Sequence, residues 1–447
     1  MSLVPPPTAA SLYKSRGLAV PPFPPFQPAA SSSSSTSSAS SRGGSSKTQI
    51  RELRGGHRAS PLTAGTVAEK SSGATGAGLS TARGQGAGGA PCSVRALGWS
   101  IDGRKLATSA TDRTIRIWTP ERSVDARATV ELRGHTDSVE QLAWDPVNAE
   151  RLVSVAGDET ARFWDIRSEA PTATIATPGP NINVAYHPDG NLVAVGDRED
   201  TVSLLDVRMN KLVGLVRSAG SPPSLSLSEG AGELWTKSER EEVNEFSWTP
   251  DGSLFVLATG GGNVRLLDST SMQGGLDSSS PTSSGAATKK KLQDYPPVRW
   301  PLVHTIVGHT ASVFCLKFDP LGRYLATGSA DSTLALWSTS EWFNVHMSGH
   351  LSYPPRSLSF SHDGEFLASG GEDSFLAVSP TCPQVLEAAT SGALAAQTAG
   401  GGGAGVFKIP TKAAVNCLAW HPSRFYLAYA GDERDGTVRI WGMTSST

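Results

Sequence analysis

The residue types that run acyl-transfer chemistry stand near one another at His309, Ser329 and Asp331, with Trp337 close behind. A hydroxyl, an imidazole and a carboxylate in hydrogen-bonding order would make an activated nucleophile. The set recurs, however. His135, Asp158 and Trp164 repeat it with Ala156 at the serine place; Asp112 and Trp118 repeat it with Ala110 there, behind a distant His57. Asp435 and Trp441 close the chain in the same way, and His350 and Asp373 keep part of the pattern with Gly371 and Ser379. A catalytic site is needed once, whereas a set copied along one chain is architecture. A buried chain of His, Ser, Asp and Trp is expected to be fully hydrogen-bonded and to fix a turn. On this reading the set is intact only around His309, Ser329, Asp331 and Trp337.

Other chemistry has no foothold in the pattern. Of nine histidines, four begin units as Gly-His or Gly-Gly-His and two, His187 and His421, sit in His-Pro turns. No His-x-x-x-His pair, Cys/His cluster or Cys-x-x-Cys occurs, and no Walker A sequence, so no metal or cofactor is expected. Gly84, Gly86 and Gly89 have dinucleotide-site spacing without a strand before or a helix after them. Carboxylates are scattered through turns, which leaves no acid/base pair. No catalytic residue and no small-molecule substrate are expected.

The elements that hold these residues are short strands. Residues 308–337 read GHTASVFCLKFDPLGRYLATGSADSTLALW, with runs at 312–318, Tyr324–Ser329 and 333–337 separated by Asp-Pro-Leu-Gly and Ala-Asp-Ser turns. Such runs predict consecutive antiparallel strands. The first is apolar on both faces (Phe314, Leu316 and Phe318 against Val313 and Cys315), so neighbouring copies must cover it. Copies lie at 134–164 and 93–118. A repeat of ~40–45 residues with a Gly-His start and a Trp-Asp end resembles the WD40 family, whose fold is the β-propeller.

Seven units follow from the third-strand marker at Trp118, Trp164, Leu205, Leu267, Trp337, Ser379 and Trp441. The fold expected is all-β: a seven-bladed propeller over 49–443 behind a disordered Ser/Pro-rich tail at 1–48. Low-complexity inserts fall at about 58–91, 218–240, 272–295 and 388–405. Too little chain follows Trp441 for a fourth strand, and residues 50–54 form the one unassigned strand. They are expected to complete the last blade and lock the two termini together.

The net charge of −2 hides an asymmetry: residues 1–92 carry nine Lys/Arg and two Asp/Glu. A basic, extended tail offers weak contact with RNA or an acidic partner, or is a solvated linker. Lys289-Lys290-Lys291 poses the same choice for an insert. Four dispersed cysteines suit a reducing compartment. No apolar run approaches ~18 residues and the N-terminus lacks a secretory core, so no membrane contact is expected. Trp342, Phe343, Tyr353 and Arg356 are the candidate partner-contact edge.

Several phrases are more specific: NINV at 181–184, EVNEFSW at 242–248, CLKFDP at 315–320, GSAD at 328–331, RSLSFSHDGEFLA at 356–368 and RDGTVRIW at 434–441. In that order they resemble the WD40 subunits of the THO complex. The resemblance implies a non-catalytic nuclear scaffold in a THO/TREX assembly coupling transcription to mRNA packaging and export. Its partners would be other THO subunits, a large helical scaffold first among them. The alternative rests on the Trp-Asp-x-Arg at Trp164-Asp165-Ile166-Arg167, which resembles that of WD40 substrate receptors of cullin-based ubiquitin ligases.

Overall fold

A computed structural model describes residues 47–53, 92–122, 129–219, 242–270, 297–382, 406–432 and 436–444. Every regular element among them is a strand, and the strands form a seven-bladed β-propeller.

Blade five sets the pattern. Its inner strand Val313–Phe318 pairs antiparallel with Tyr324–Ser329, which pairs with Leu334–Ser338 and then with Asn344–Ser348 at the rim. The first turn is closed by Gly322 N–H donating to Asp319 O at 2.8 Å. Gly322 sits at φ 71°, a left-handed conformation that a Cβ disfavours. The second strand is buried from Leu325 to Ser329 because blades cover it on both sides. The inner strand departs from the expected pattern. Its pairing slips between Val313 and Cys315, so Phe314 is bulged out and remains 41% exposed while Val313, Cys315 and Leu316 are buried.

The ring closes as the chain accounting requires. Lys47–Leu53 pairs antiparallel with Val438–Thr444, Ile50 opposite Trp441 and Leu53 opposite Val438. Leu53 is fully buried with Val94, Leu106, Trp118 and Cys417, in the core shared by blades seven and one. Burying one such side chain contributes about 2 kcal/mol. The strand starts three residues before the expected position, and the last strand runs to Thr444. The tail at 1–46 and most of the four inserts lie outside the described residues.

Blades three and four are one sheet. Lys211–Ala219, the outer strand of blade three, extends past its blade and pairs in parallel with the first half of Pro297–Val307. The second half of Pro297–Val307 is the outer strand of blade four. Eight strands thus form a continuous sheet. Trp300, fully buried at this crossing, packs edge-to-face on Trp248 and tilted against Phe255, with ring centroids 5.3 Å apart in both cases.

Candidate functional site

The His–hydroxyl–Asp–Trp sets are hydrogen-bond chains inside single blades, but Ser329 is not the hydroxyl. In blade five Trp337 Nε1–H donates to Thr327 Oγ1 at 2.9 Å, and Thr327 Oγ1 lies 2.7 Å from His309 Nε2. His309 Nδ1 faces Asp331 Oδ2 at 3.4 Å. Ser329 turns instead to the loop: its Oγ donates to Ala311 O at 2.9 Å and accepts from Asp331 N–H at 3.3 Å. Residues two apart share a strand face, which is why the sequence could not separate Thr327 from Ser329. Gly308 is required because a Cβ there would lie 2.3 Å from the Trp337 ring.

The same correction completes blade two. Trp164 Nε1–H donates to Ser154 Oγ at 2.8 Å, Ser154 Oγ meets His135 Nε2 at 2.8 Å, and His135 Nδ1 meets Asp158 at 2.9 Å. Blade one keeps the Trp118-to-Thr108 bond at 2.9 Å, and Asp112 caps Thr114. His57 and Asp435 lie outside the described residues. In blade seven Trp441 packs on Phe407 and Trp420. Blade six has Ser369 at the bridging place, yet His350 Nε2, Ser369 Oγ and Ser379 Oγ are buried without hydrogen-bond partners. Burial pushes the His350 imidazole down to about 4, so it stays neutral. Blades three and four place Val195 and Leu257 where the hydroxyl would be and Leu205 and Leu267 where the Trp would be, all buried. Removing every polar partner together avoids the cost of an orphaned one. The signal that finds the bridge is a Ser or Thr ten residues before the Trp.

The order of atoms resembles that of a catalytic triad, but the chemistry is closed off. The Thr327 hydroxyl is fully buried and capped by the Trp337 indole N–H. Burial lowers the His309 pKa, against the pull of Asp331. Burial would raise the Asp331 carboxyl, but hydrogen bonds from Thr333 and Thr310, with His309 beside it, hold it at about 2. Asp158 is likewise pulled far below the carboxylate range against its burial by bonds from His135, Thr136 and Thr160. These are fixed structural charges.

The ring presents a second, accessible constellation. All seven inner strands carry the same bulge at their second residue, which falls at Arg95, Glu140, Ile182, Asn244, Phe314, Arg356 and Asn416. A bulge re-aims its side chain. Here it does so at the end of the ring where inner strands begin, the upper face. Charges link around this rim: Arg95 to Glu140 at 3.6 Å, Arg198 to Glu140 at 3.7 Å, Arg356 to Asn416 at 2.7 Å and to Asp432 at 3.6 Å. Arg356 also meets Glu372. Below the rim, the free inner-strand edges are bonded blade to blade around the whole circle. Trp99 donates to Ala419 O, Trp144 to Gly98 O, Asn183 to Asn244 O and Asn244 to Val313 O. Gln141 accepts from Val184 N–H, Cys315 Sγ contacts Pro355 O, and Ser357 accepts from Leu418 N–H. Edge groups left unpaired would be costly and sticky.

The four expected contact residues do not form one patch. Tyr353 and Arg356 lie on the upper face, but Trp342 and Phe343 precede the outer strand Asn344–Ser348 and lie at its opposite end. A five-residue strand separates the pairs by roughly 17 Å. Trp342, at φ 55°, packs against the blade-four and blade-five core, while Phe343 and Tyr353 are each 51% exposed. Arg167 folds back on its own Asp165, with Nε 2.9 Å from Oδ1. Lys289–Lys291 lie outside the described residues.

The "WD domain, G-beta repeat" family model matches residues 86–119, 127–165, 300–338, 343–378 and 405–442. The chain is 35% identical over 361 residues to a protein of Arabidopsis thaliana called THO complex subunit 3, covering 79% of this chain and 93% of that one. It is 27% identical over 285 residues to the WD repeat-containing protein AAC3 of Dictyostelium discoideum, covering 60% of this chain and 51% of that one. Among solved structures, the β-propeller domain of Myceliophteria thermophila Cps50 (Swd1) aligns with a TM-score of 0.55 at 16% identity, over 79% of this chain and 96% of that one. This last likeness concerns the fold alone.

Proposed function

The chain is a WD-repeat protein of the THO complex subunit 3 family, and we propose that it is the propeller subunit of a nuclear THO/TREX-like assembly coupling transcription to mRNA packaging and export. As a member of that family it is non-catalytic. The observation that carries the reading is 35% identity sustained over 93% of the relative's length. The upper rim supplies a docking surface of the right kind: Phe314 and Tyr353 expose apolar area among charged neighbours, and Arg95 and Arg356 offer planar cationic donors. On this reading the rim receives another THO subunit, a large helical scaffold. The fold serves it as a rigid platform, and RNA contact passes through the basic N-terminal region or through partners.

The test is purification of the tagged protein from nuclei with identification of what co-elutes, repeated with Phe314→Asp. THO subunits should co-purify with the unaltered chain and be lost from the variant at an unchanged melting temperature. Recovery of a cullin adaptor instead, abolished by Arg167→Ala, would replace this reading with the ubiquitin-ligase one.

A further inference from the structure

Blade six differs from blades two and five at the place of the tryptophan. Ser379 pairs with Leu367 as Trp337 pairs with Leu325 in blade five and Trp164 with Leu152 in blade two. In those two blades the indole runs from the bridging hydroxyl, to which its Nε1–H donates, up to the glycine before the histidine. A Cβ on Gly308 would lie 2.3 Å from Trp337 Cη2, and one on Gly134 would lie 3.2 Å from Trp164 Cη2. A Cβ on Gly349, the matching glycine of blade six, would meet nothing within 4 Å. The space at that end of the ring is therefore open in blade six.

The other end is polar and unsatisfied. Ser369 Oγ, Ser379 Oγ and His350 Nε2 are buried without hydrogen-bond partners, and Ser369 is 1% and Ser379 9% exposed. The histidine does not join the hydroxyl to the aspartate as it does in blade two. Its Nδ1 bonds Ser348 Oγ, and Asp373 accepts from the Ser352 and Tyr353 N–H groups. Leu367 and Ala377, opposite and two residues before Ser379, are buried with Leu351 in the core shared by blades five and six. Apolar walls with a few convergent polar atoms suit a planar ring with one polar edge. A ligand that supplies the missing bond also relieves the cost of a buried orphan. Access is from the Gly349 end. Gly349 is exposed, His350 is half-buried where His135 and His309 are buried, and the exposed Met347 and Tyr353 flank them in the chain.

We propose that blade six takes up an indole ring in trans, from a tryptophan of a partner protein. The indole N–H donates to Ser369 Oγ, as Trp337 Nε1–H does to Thr327 Oγ1 in blade five, and the far edge of the ring lies against Gly349. A phenylalanine ring has no donor to offer there. The partner's side chain thus completes the hydrogen-bond chain that blade six lacks. The site does not depend on which subunit the upper rim receives.

Indole and benzofuran, its isostere without the N–H, are titrated into the full-length chain and binding is followed by melting temperature. Indole should raise it saturably. Benzofuran should bind roughly fivefold more weakly, the equivalent of one neutral hydrogen bond. N-acetyltryptophanamide, which carries the ring on a peptide unit, should compete with indole. Ser379→Trp fills the space from within, so it should melt above the unaltered chain and lose the response. Gly349→Leu blocks the far end at an exposed glycine whose backbone accepts a side chain, and it should lose the response even where Ser379→Trp fails to fold. No response to indole, or an undiminished response in either folded variant, overturns the proposal; the polar atoms of blade six then meet only solvent. Indole binding without competition by N-acetyltryptophanamide also overturns it, by confining the site to free small aromatics.

Discussion

Thr327→Val removes one hydroxyl and keeps the side chain's shape. Two groups lose their partner at once: the Trp337 indole N–H at 2.9 Å and the His309 Nε2 at 2.7 Å. Trp337 is 4% exposed and His309 8%, so water does not replace the lost bonds. A buried polar group left unsatisfied costs ~1–3 kcal/mol, which for two such groups puts Thr327→Val at roughly 2–6 kcal/mol. Ser329→Ala loses a bond to the Ala311 carbonyl and a long one from Asp331 N–H, for about 1 kcal/mol. The two variants are compared by urea unfolding followed through tryptophan fluorescence and far-ultraviolet circular dichroism. The midpoint shift is interpreted only where both signals coincide and the slope is unchanged. An equal shift, or a larger one for Ser329→Ala, would refute the assignment of Thr327 as the bridge.

Three further outcomes follow from the ring's construction. A chain beginning at residue 60 should melt well below one beginning at residue 46, because it lacks the strand that buries Leu53; equal melting temperatures would contradict closure by this strand. Trp300→Ala should cost about 3–5 kcal/mol and speed amide exchange in both blade three and blade four, whereas exchange confined to blade four would deny the fused sheet a coupling role. Burial lowers the His421 pKa to about 4, below its unfolded value of ~6.5. The unfolded chain therefore binds more protons between those values, and stability is full above pH ~6.5 and lost as pH falls towards 4. The loss from this one group is at most about 3 kcal/mol, and His421→Gln should flatten the wild-type slope in that window.

The seven units and the closing strand were legible because strands, Gly/Asp turns and chain accounting are local signals. The bridging hydroxyl was not, since a period of two makes Thr327 and Ser329 equivalent and only the place of Trp337 in the pairing decides between them. Of the rim, only Tyr353 and Arg356 were legible as contact residues. Phe314 reads as a core residue until the bulge between Val313 and Cys315 turns it outward. The fused sheet is hidden by Pro297 and Pro301, which argue against a strand in sequence and are accommodated here in a short parallel pairing. Trp342 and Tyr353 stand only eleven residues apart, but the strand Asn344–Ser348 runs between them and carries them to opposite faces of the ring.

Closure by a strand from the opposite terminus also has a consequence for biosynthesis. Leu53 leaves the ribosome before its partner Val438, which follows about 385 residues later. At ~5–20 residues per second, the closing strand waits roughly 20–80 s without its mate. Throughout that interval the nascent chain offers an unpaired strand, and the edge of blade one that blade seven will cover is bare. The segment at 47–53 is therefore where a chaperone would act to prevent mispairing between neighbouring nascent chains, and the propeller can complete its ring only after the strand Val438–Thr444 has been made.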